Sequence, residues 1–246
     1  MKLSSCLLLL ALAVASRAVE PCRIEIVEDR TGWPVPLVEL RTTHHARFVS
    51  DNAGRIAFDL PELMGREAWF EVHGHGYEVK ADGFGIRGVR LKPEPGKTLR
   101  VEVRRTIIAQ RVGRLTGAGL FAESQKLGLE ADWRESGLVG QDSVQNAVHR
   151  GRLYWFWGDT TLARYPLGIF DGTGATTAVQ PSAALRPPLR WPLDYFTIAT
   201  GAPSGRDTRR FLAAALRASA IALDSTASVH RAVVQTPERV RRANPS

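Results

Sequence analysis

Carboxylates set beside aromatic rings are the residues of this sequence best suited to do chemistry. Asp142 lies in Gly140-Gln141-Asp142-Ser143, and Asp159 closes the run Leu153-Tyr154-Trp155-Phe156-Trp157-Gly158-Asp159-Thr160. Hydrolysis of a glycosidic bond needs two carboxyl groups flanking it, about 5–10 Å apart. Trp155, Trp157 and Tyr165 offer flat surfaces for pyranose rings, and Gln141 adds an amide beside them. A structural reading stands beside this one. Gly-Gln-Asp-Ser is also a turn that starts a strand, and alternate aromatics on a strand are also core.

Histidines are the second group. His44-His45 and His73-Gly74-His75 carry metal-ligand imidazoles. Successive strand residues point to opposite faces, so His44 and His45 cannot share a site if extended. Gly74 and Gly76 mark a turn, and no cysteine or third ligand is fixed by spacing. Solvated turn histidines are the expectation, with no metal. Gly117-Ala118-Gly119 is not followed by Lys-Ser/Thr and completes no G-x-G-x-x-G pattern, which excludes a phosphate loop or dinucleotide fold. No cofactor is expected.

The elements that must position these groups follow from turn chemistry and alternation. Cys22–Val27, Pro36–Arg41, Arg55–Leu60, Ala68–Val72, Gly88–Leu91 and Leu99–Val103 are short runs with a period near two. Asp29-Arg30-Thr31-Gly32 and Asp51-Asn52-Ala53-Gly54 punctuate them as tight turns. Residues 20–105 therefore read as a small β-sandwich. Residues 106–136 read as a connector. Thr106 is a candidate N-cap there, and Ile107, Ile108, Val112 and Leu115 give a weak helical period. Phe121, Leu127, Leu129 and Trp133 would pack it onto a neighbour. Val139–Val148 and Leu153–Trp157 read as a hairpin about a glycine-containing turn, with a further strand near Gly174–Val179.

Composition bounds the rest. The 246 residues carry 33 basic and 25 acidic side chains, a formal net charge of +8. The body from 19 to 200 is within one charge of neutral, and 8 arginines crowd the last 46 residues. Nucleic acid is therefore not an expected partner. Lys2, the apolar run Leu7–Ala15 and Ser16-Arg17-Ala18 form the three regions of a secretory signal over residues 1–18. The apolar run is shorter than the roughly 20 residues a membrane helix needs. The expected location is secreted or periplasmic, with no transmembrane span in the mature chain. Cleavage removes Cys6 and leaves Cys22, expected as a small buried hydrophobe. Its alternative is a disulfide to a second chain.

Two resemblances rest on these motifs. Asp29…Gly32, Pro34-Val35-Pro36, Val38-Glu39-Leu40, Ser50-Asp51-Asn52-Ala53-Gly54-Arg55 and Gly74-His75-Gly76-Tyr77 together resemble the carboxypeptidase regulatory-like domains of the transthyretin-like (prealbumin-like) sandwich class. That resemblance implies an accessory role, structural or binding, as a spacer or sugar-contacting module. The string GQDSVQ…GRLYWFWGDT…YPLG…GAT resembles the entry blade of five-bladed β-propellers related to glycoside hydrolases. Over roughly residues 20–197 the chain looks like a family of exported bacterial proteins of planctomycete type, in which a regulatory-like sandwich precedes a propeller-like domain. In five-bladed glycosidases one carboxylate sits on an inner strand of the first blade. The resemblance carries that place, general base or nucleophile, to Asp142. Asp159 is the nearest second carboxylate but ends a different strand.

A blade takes about 40–50 residues, so the stretch after Gly137 holds two at most, and the expectation is an incomplete propeller-like region over 137–197. Residues 198–246 read as foreign to the rest. They are rich in Arg and Ala, with a candidate helix from Phe211, and have the composition that GC-rich DNA encodes in a shifted frame. The expected fold is mainly β: sandwich, incomplete propeller-like hairpins and an irregular or helical tail. The expected function is that of an exported accessory protein, carbohydrate-binding or structural, without a complete catalytic site. Its alternative is a truncated glycoside-hydrolase-like enzyme. The expected partner is a carbohydrate or a cell-envelope component.

Overall fold

The computed structural model describes residues 20–162, 172–181 and 185–196. The expected signal segment, Tyr165 and the tail 198–246 lie outside them. The described chain is mainly β. It divides into two units, one of residues 1–115, 119–135 and 181–190, the other of 116–118, 136–180 and 191–246. No helix among the described residues is long and apolar enough to cross a membrane.

The first unit holds two four-stranded sheets. One has the order β4 (Arg55–Phe58), β1 (Cys22–Glu28), β8 (Thr98–Arg105), β6 (Tyr77–Glu78). Strands β1 and β8 run parallel, and the other pairs are antiparallel. The second sheet has the order β3 (Arg47–Val49), β2 (Glu39–Thr42), β5 (Ala68–His73), β7 (Gly88–Leu91), antiparallel throughout. Alternation decides what goes inside. Cys22, Ile24 and Ile26 are fully buried, with Arg23 and Glu25 between them only partly so. Leu40, Phe70 and Val72 from the second sheet join them in one core with Val101 and Val103. Phe58 meets Phe48 at 4.8 Å and Phe70 edge-on at 5.5 Å between ring centroids. Each such side chain contributes about 1.5–3 kcal/mol by leaving water. Burial pushes the Cys22 thiol pKa up.

The Asp51–Gly54 turn locks the unit. Asp51 Oδ1 accepts the N–H of Ala53 at 2.9 Å and of Arg55 at 3.2 Å, while Oδ2 accepts the N–H of Ser124 at 2.7 Å. Gly54 has φ +68°, and a Cβ there would stand 2.6 Å from the Ile26 carbonyl oxygen. Ser124 belongs to the short helix α1 (Ala122–Lys126). Its neighbour Glu123 accepts the Ala57 N–H at 3.0 Å, so α1 covers the outer edge of β4. Phe121, beside α1, is fully buried and meets Trp133 at 4.8 Å. Residues 119–135, within the stretch read as a connector, thus pack with the first unit.

The weak helical period over 106–115 gives no helix. Arg111 instead donates to the Pro36 carbonyl at 2.6 Å and the His75 carbonyl at 2.8 Å, and its guanidinium lies 5.4 Å from the Tyr77 ring centroid. Ile108 is left fully exposed. Nucleating a helix there has to overcome the cost of its first turn, and a few scattered apolar residues do not outweigh Arg111's fixed bonds.

In the second unit a four-stranded antiparallel sheet has the order β10 (Gln145–His149), β11 (Arg152–Trp157), β13 (Thr173–Ala178), β14 (Asp194–Tyr195). Arg150 and Gly151, at φ +47° and +75°, make the two-residue β10–β11 loop. Positive φ at both positions matches the twist of the flanking strands. Packing is large against small: Trp155 faces Ala175, and Trp157 faces Thr173. The run expected as one strand from Val139 to Val148 is broken. Ser143 turns left-handed at φ +53°, so β9 (Leu138–Gln141) pairs with β12 (Thr160–Leu162) while β10 pairs with β11.

Candidate functional site

Next to the break at Ser143 the backbones of the two candidate acids are joined. Asp142 donates its N–H to the Asp159 carbonyl at 3.0 Å and accepts the Gly158 N–H at 2.9 Å. Two residues of one strand thus oppose one of the other, a β-bulge. Gly158 fits the bend, since a Cβ there would stand 3.3 Å from Ser143 Cβ. Both acids are exposed. The Ser143 N–H donates to Asp142 Oδ1 at 2.6 Å.

The neighbouring register pair is Gln141 and Thr160. Gln141 donates to Thr173 Oγ1 at 2.5 Å and accepts the Tyr195 hydroxyl at 3.0 Å. Thr173 and Thr160 share a further bond of 2.9 Å. Both ends of the Gln141 amide are thus engaged within the protein. Burial pushes the Tyr195 phenol well above its ordinary range, partly offset by a hydrogen bond with Ser136. The phenol therefore stays a neutral donor at physiological pH.

Trp155 and Trp157 stack with centroids 6.1 Å apart and planes 8° apart. Trp191 meets Trp155 edge-on at 5.4 Å, and Tyr195 covers Trp157 at 5.6 Å. The two stacked indoles are 7% and 5% exposed. The ring nitrogens of Trp155 and Trp191 are buried without a hydrogen-bond partner. Acids and aromatics thus lie in different surroundings, the acids in water and the aromatics packed away. The acid pair can accept hydroxyl or cationic donors from solvent. A two-carboxylate hydrolase keeps one of its acids in dry surroundings, which neither Asp142 nor Asp159 has here. Tyr165 lies outside the described residues.

The histidines stand apart. His44 Nε2 is 4.0 Å from Glu62, and His73 Nε2 is 3.1 Å from Glu71. Among the described residues no group of three or more His, Cys, Asp or Glu side chains could hold a metal ion. An open groove of about 530 Å³ in the first unit is lined by Asp29, Glu78, Lys80, Arg87, Glu102 and Arg104 with Val79 and Ala81. Glu78 is held below the usual carboxylate range by a hydrogen bond from Arg104, and Arg87 adds its charge and a second bond. Within the groove Glu78 pairs with both Arg87 and Arg104.

Sequence reasoning missed one surface. On β5, Phe70 and Val72 go to the core, so Trp69, Glu71 and His73 occupy the opposite, outer face. Trp69 is half-buried there. Its six-membered ring fills the space above Gly88, where a Cβ would stand 2.3 Å from Trp69 Cζ2. The alternation of Ala68–His73 carries the signal; the missing side chain at Gly88 does not show until β7 is placed beside β5.

No family model, no curated protein and no solved structure matches this chain.

Proposed function

We propose that this chain is an exported accessory protein that works by binding, with carbohydrate as its ligand class, and that it does not turn its ligand over. Its first unit is a β-sandwich of the regulatory-like class and its second a propeller-like set of hairpins. The observation that carries the reading is the separation between acids and aromatics in the second unit. Asp142 and Asp159 stand in water, while Trp155 and Trp157 are packed against Trp191 and Tyr195. A hydrolytic site needs acids and sugar platform on the same bond, one acid desolvated. An accessory module needs only a surface. The motifs from Asp29 to Tyr77 and the apolar leader support the class and the export.

The test is affinity electrophoresis of the full chain through gels holding neutral polysaccharides. Retardation by a neutral polysaccharide, with no rise in reducing ends, is the expected result. Free migration through every gel would overturn the reading.

One observation favours a second reading, a hydrolase of the five-bladed type. The Asp142 N–H does bond to the Asp159 carbonyl at the bulge, which joins the two stretches that carry the acids. That reading requires release of reducing ends that Asp142→Asn abolishes.

A further inference from the structure

Among the described residues, β10 is an edge of the second unit's sheet. Its outer row of backbone N–H and C=O groups is a template for another strand. Natural edges are blunted by charge, proline, brevity or a covering element. The first unit uses these devices: α1 covers β4, β3 is three residues long and carries Arg47, and β7 carries Arg90. Strand β10 reads Gln145-Asn146-Ala147-Val148-His149, with no Lys, Arg, Asp, Glu or Pro. Val144 just before it is 52% exposed and Val148 is 64% exposed. Gln145, Asn146 and Ala147 between them are exposed too, so both faces of the strand stand in water.

Hairpin geometry decides which backbone groups point outward. The two-residue Arg150-Gly151 loop closes on His149 and Arg152, the pair that exchanges both its hydrogen bonds. Alternation then makes Ala147 with Tyr154, and Gln145 with Phe156, the next bonded pairs. The N–H and C=O groups of Asn146 and Val148, and by the same alternation of Val144, turn away from β11. An extended polypeptide is the ligand whose own donors and acceptors match such a row.

The side chains say which polypeptide. Lay a second β10 antiparallel to the first with Asn146 facing the partner's Asn146. Val144 then faces the partner's Val148, and Val148 the partner's Val144. All three are pairs of outward-pointing residues, which exchange two hydrogen bonds each in an antiparallel ladder. Each exposed valine gains an apolar neighbour, and the two amides meet in the middle. Gln141 faces Thr160 and Gln145 faces Phe156, the same register either side of Ser143, so Asp142 stays in line with β10. Asp142 thereby comes opposite the partner's Arg150, and Arg150 opposite the partner's Asp142. Both are exposed in the single chain. A shift by two residues either way sets Asn146 against a valine and leaves its amide unmatched.

We propose that β10 pairs antiparallel with β10 of a second copy about a two-fold axis at Asn146, forming a closed homodimer. The proposal goes beyond the binding reading and does not depend on the ligand.

Sedimentation velocity of the full chain, from micromolar to millimolar concentration, tests it. Four proteins are compared: the native chain, Asn146→Pro, Arg150→Asp, and Arg150→Asp combined with Asp142→Arg. The Asn146 N–H points away from β11, so proline removes only a bond to the second copy, and edge strands tolerate it. Arg150 sits at φ +47°, a conformation that aspartate accepts. The expected result is a reversible monomer–dimer equilibrium. Asn146→Pro weakens it about tenfold or more, through the two bonds of the central pair. Arg150→Asp weakens it severalfold by setting like charges at both ends, and the combined exchange restores it, which a fold defect would not. A native chain that stays monomeric throughout would overturn the proposal. A dimer that all variants retain would overturn it as well, since its interface would lie elsewhere. A combined variant no better than Arg150→Asp would overturn the register, and growth beyond the dimer would overturn the closed pairing.

Discussion

Asn52 and Arg114 hold one another by two backbone-to-amide hydrogen bonds. Asn52 Nδ2 donates to the Arg114 carbonyl at 2.8 Å, and the Arg114 N–H donates to Asn52 Oδ1 at 2.9 Å. Asn52 is fully buried, so a turn residue is tied to a segment of the same unit far along the chain. Asn52→Ala removes both bonds and lowers stability by about 1–3 kcal/mol. Urea unfolding checks this, and an unchanged midpoint would show that the pair is dispensable.

Gly54 tests the turn from the other side. Its left-handed backbone alone costs a residue with a side chain about 1–2 kcal/mol. The Ile26 carbonyl oxygen at 2.6 Å and the Val35 nitrogen at 2.9 Å leave a methyl no room. Gly54→Ala therefore destabilises by more than that figure. Gly32, with open space around it, pays for the backbone conformation only. The two thermal midpoints, compared, separate strain from collision.

Glu28 makes stability depend on pH. It is buried, which pushes its carboxyl up, but hydrogen bonds from Arg105, Thr31 and Gln110 and the Arg105 charge pull it further down, below the ordinary value. A depressed folded value means the stabilisation is present above the unfolded value of about 4.3 and is lost as pH falls through the folded one. Glu28→Gln is thus less stable than the native protein at pH 7. The gap narrows as pH falls below about 4. Denaturant midpoints measured at both ends of that range test the sign, and a gap that widens in acid would refute it.

The acids at the bulge behave differently. Asp142 and Asp159 are exposed, so Asp142→Asn changes stability by no more than about 0.5 kcal/mol. Gln141→Leu, by contrast, removes one hydrogen bond each from Thr173 and Tyr195, which keep Thr160 and Ser136, and the two lost bonds together cost about 1–3 kcal/mol. Equal midpoints for the two variants would mean the amide network is not holding the strands.

Much of the first unit was legible because its signals are local. Alternation from Cys22 to Val27 put Ile24 and Ile26 inside, and Asp51 to Gly54 announced a turn. The second burden on Asp51 and Asn52, bonds to Ser124 and Arg114, was not legible, since a side chain's distant partner leaves no local trace. The hairpin about Arg150-Gly151 was readable from its glycine. The break at Ser143 was not: a serine in left-handed backbone carries no compositional mark, yet it sends Gln141 and Gln145 to different partner strands. Trp155 and Trp157 show the limit most plainly. Alternation told that they share a face, and only the placement of Trp191 and Tyr195 told that the face is covered. Trp69 is a further case, an outer-face indole whose seat depends on a glycine one strand away.

Simultaneous measurement of binding heat and reducing ends, for the full chain with a neutral hexasaccharide, tests the central claim most directly. The account predicts saturable binding, with reducing ends flat throughout. Reducing ends that rise with time, and stop rising in Asp142→Asn, would contradict it.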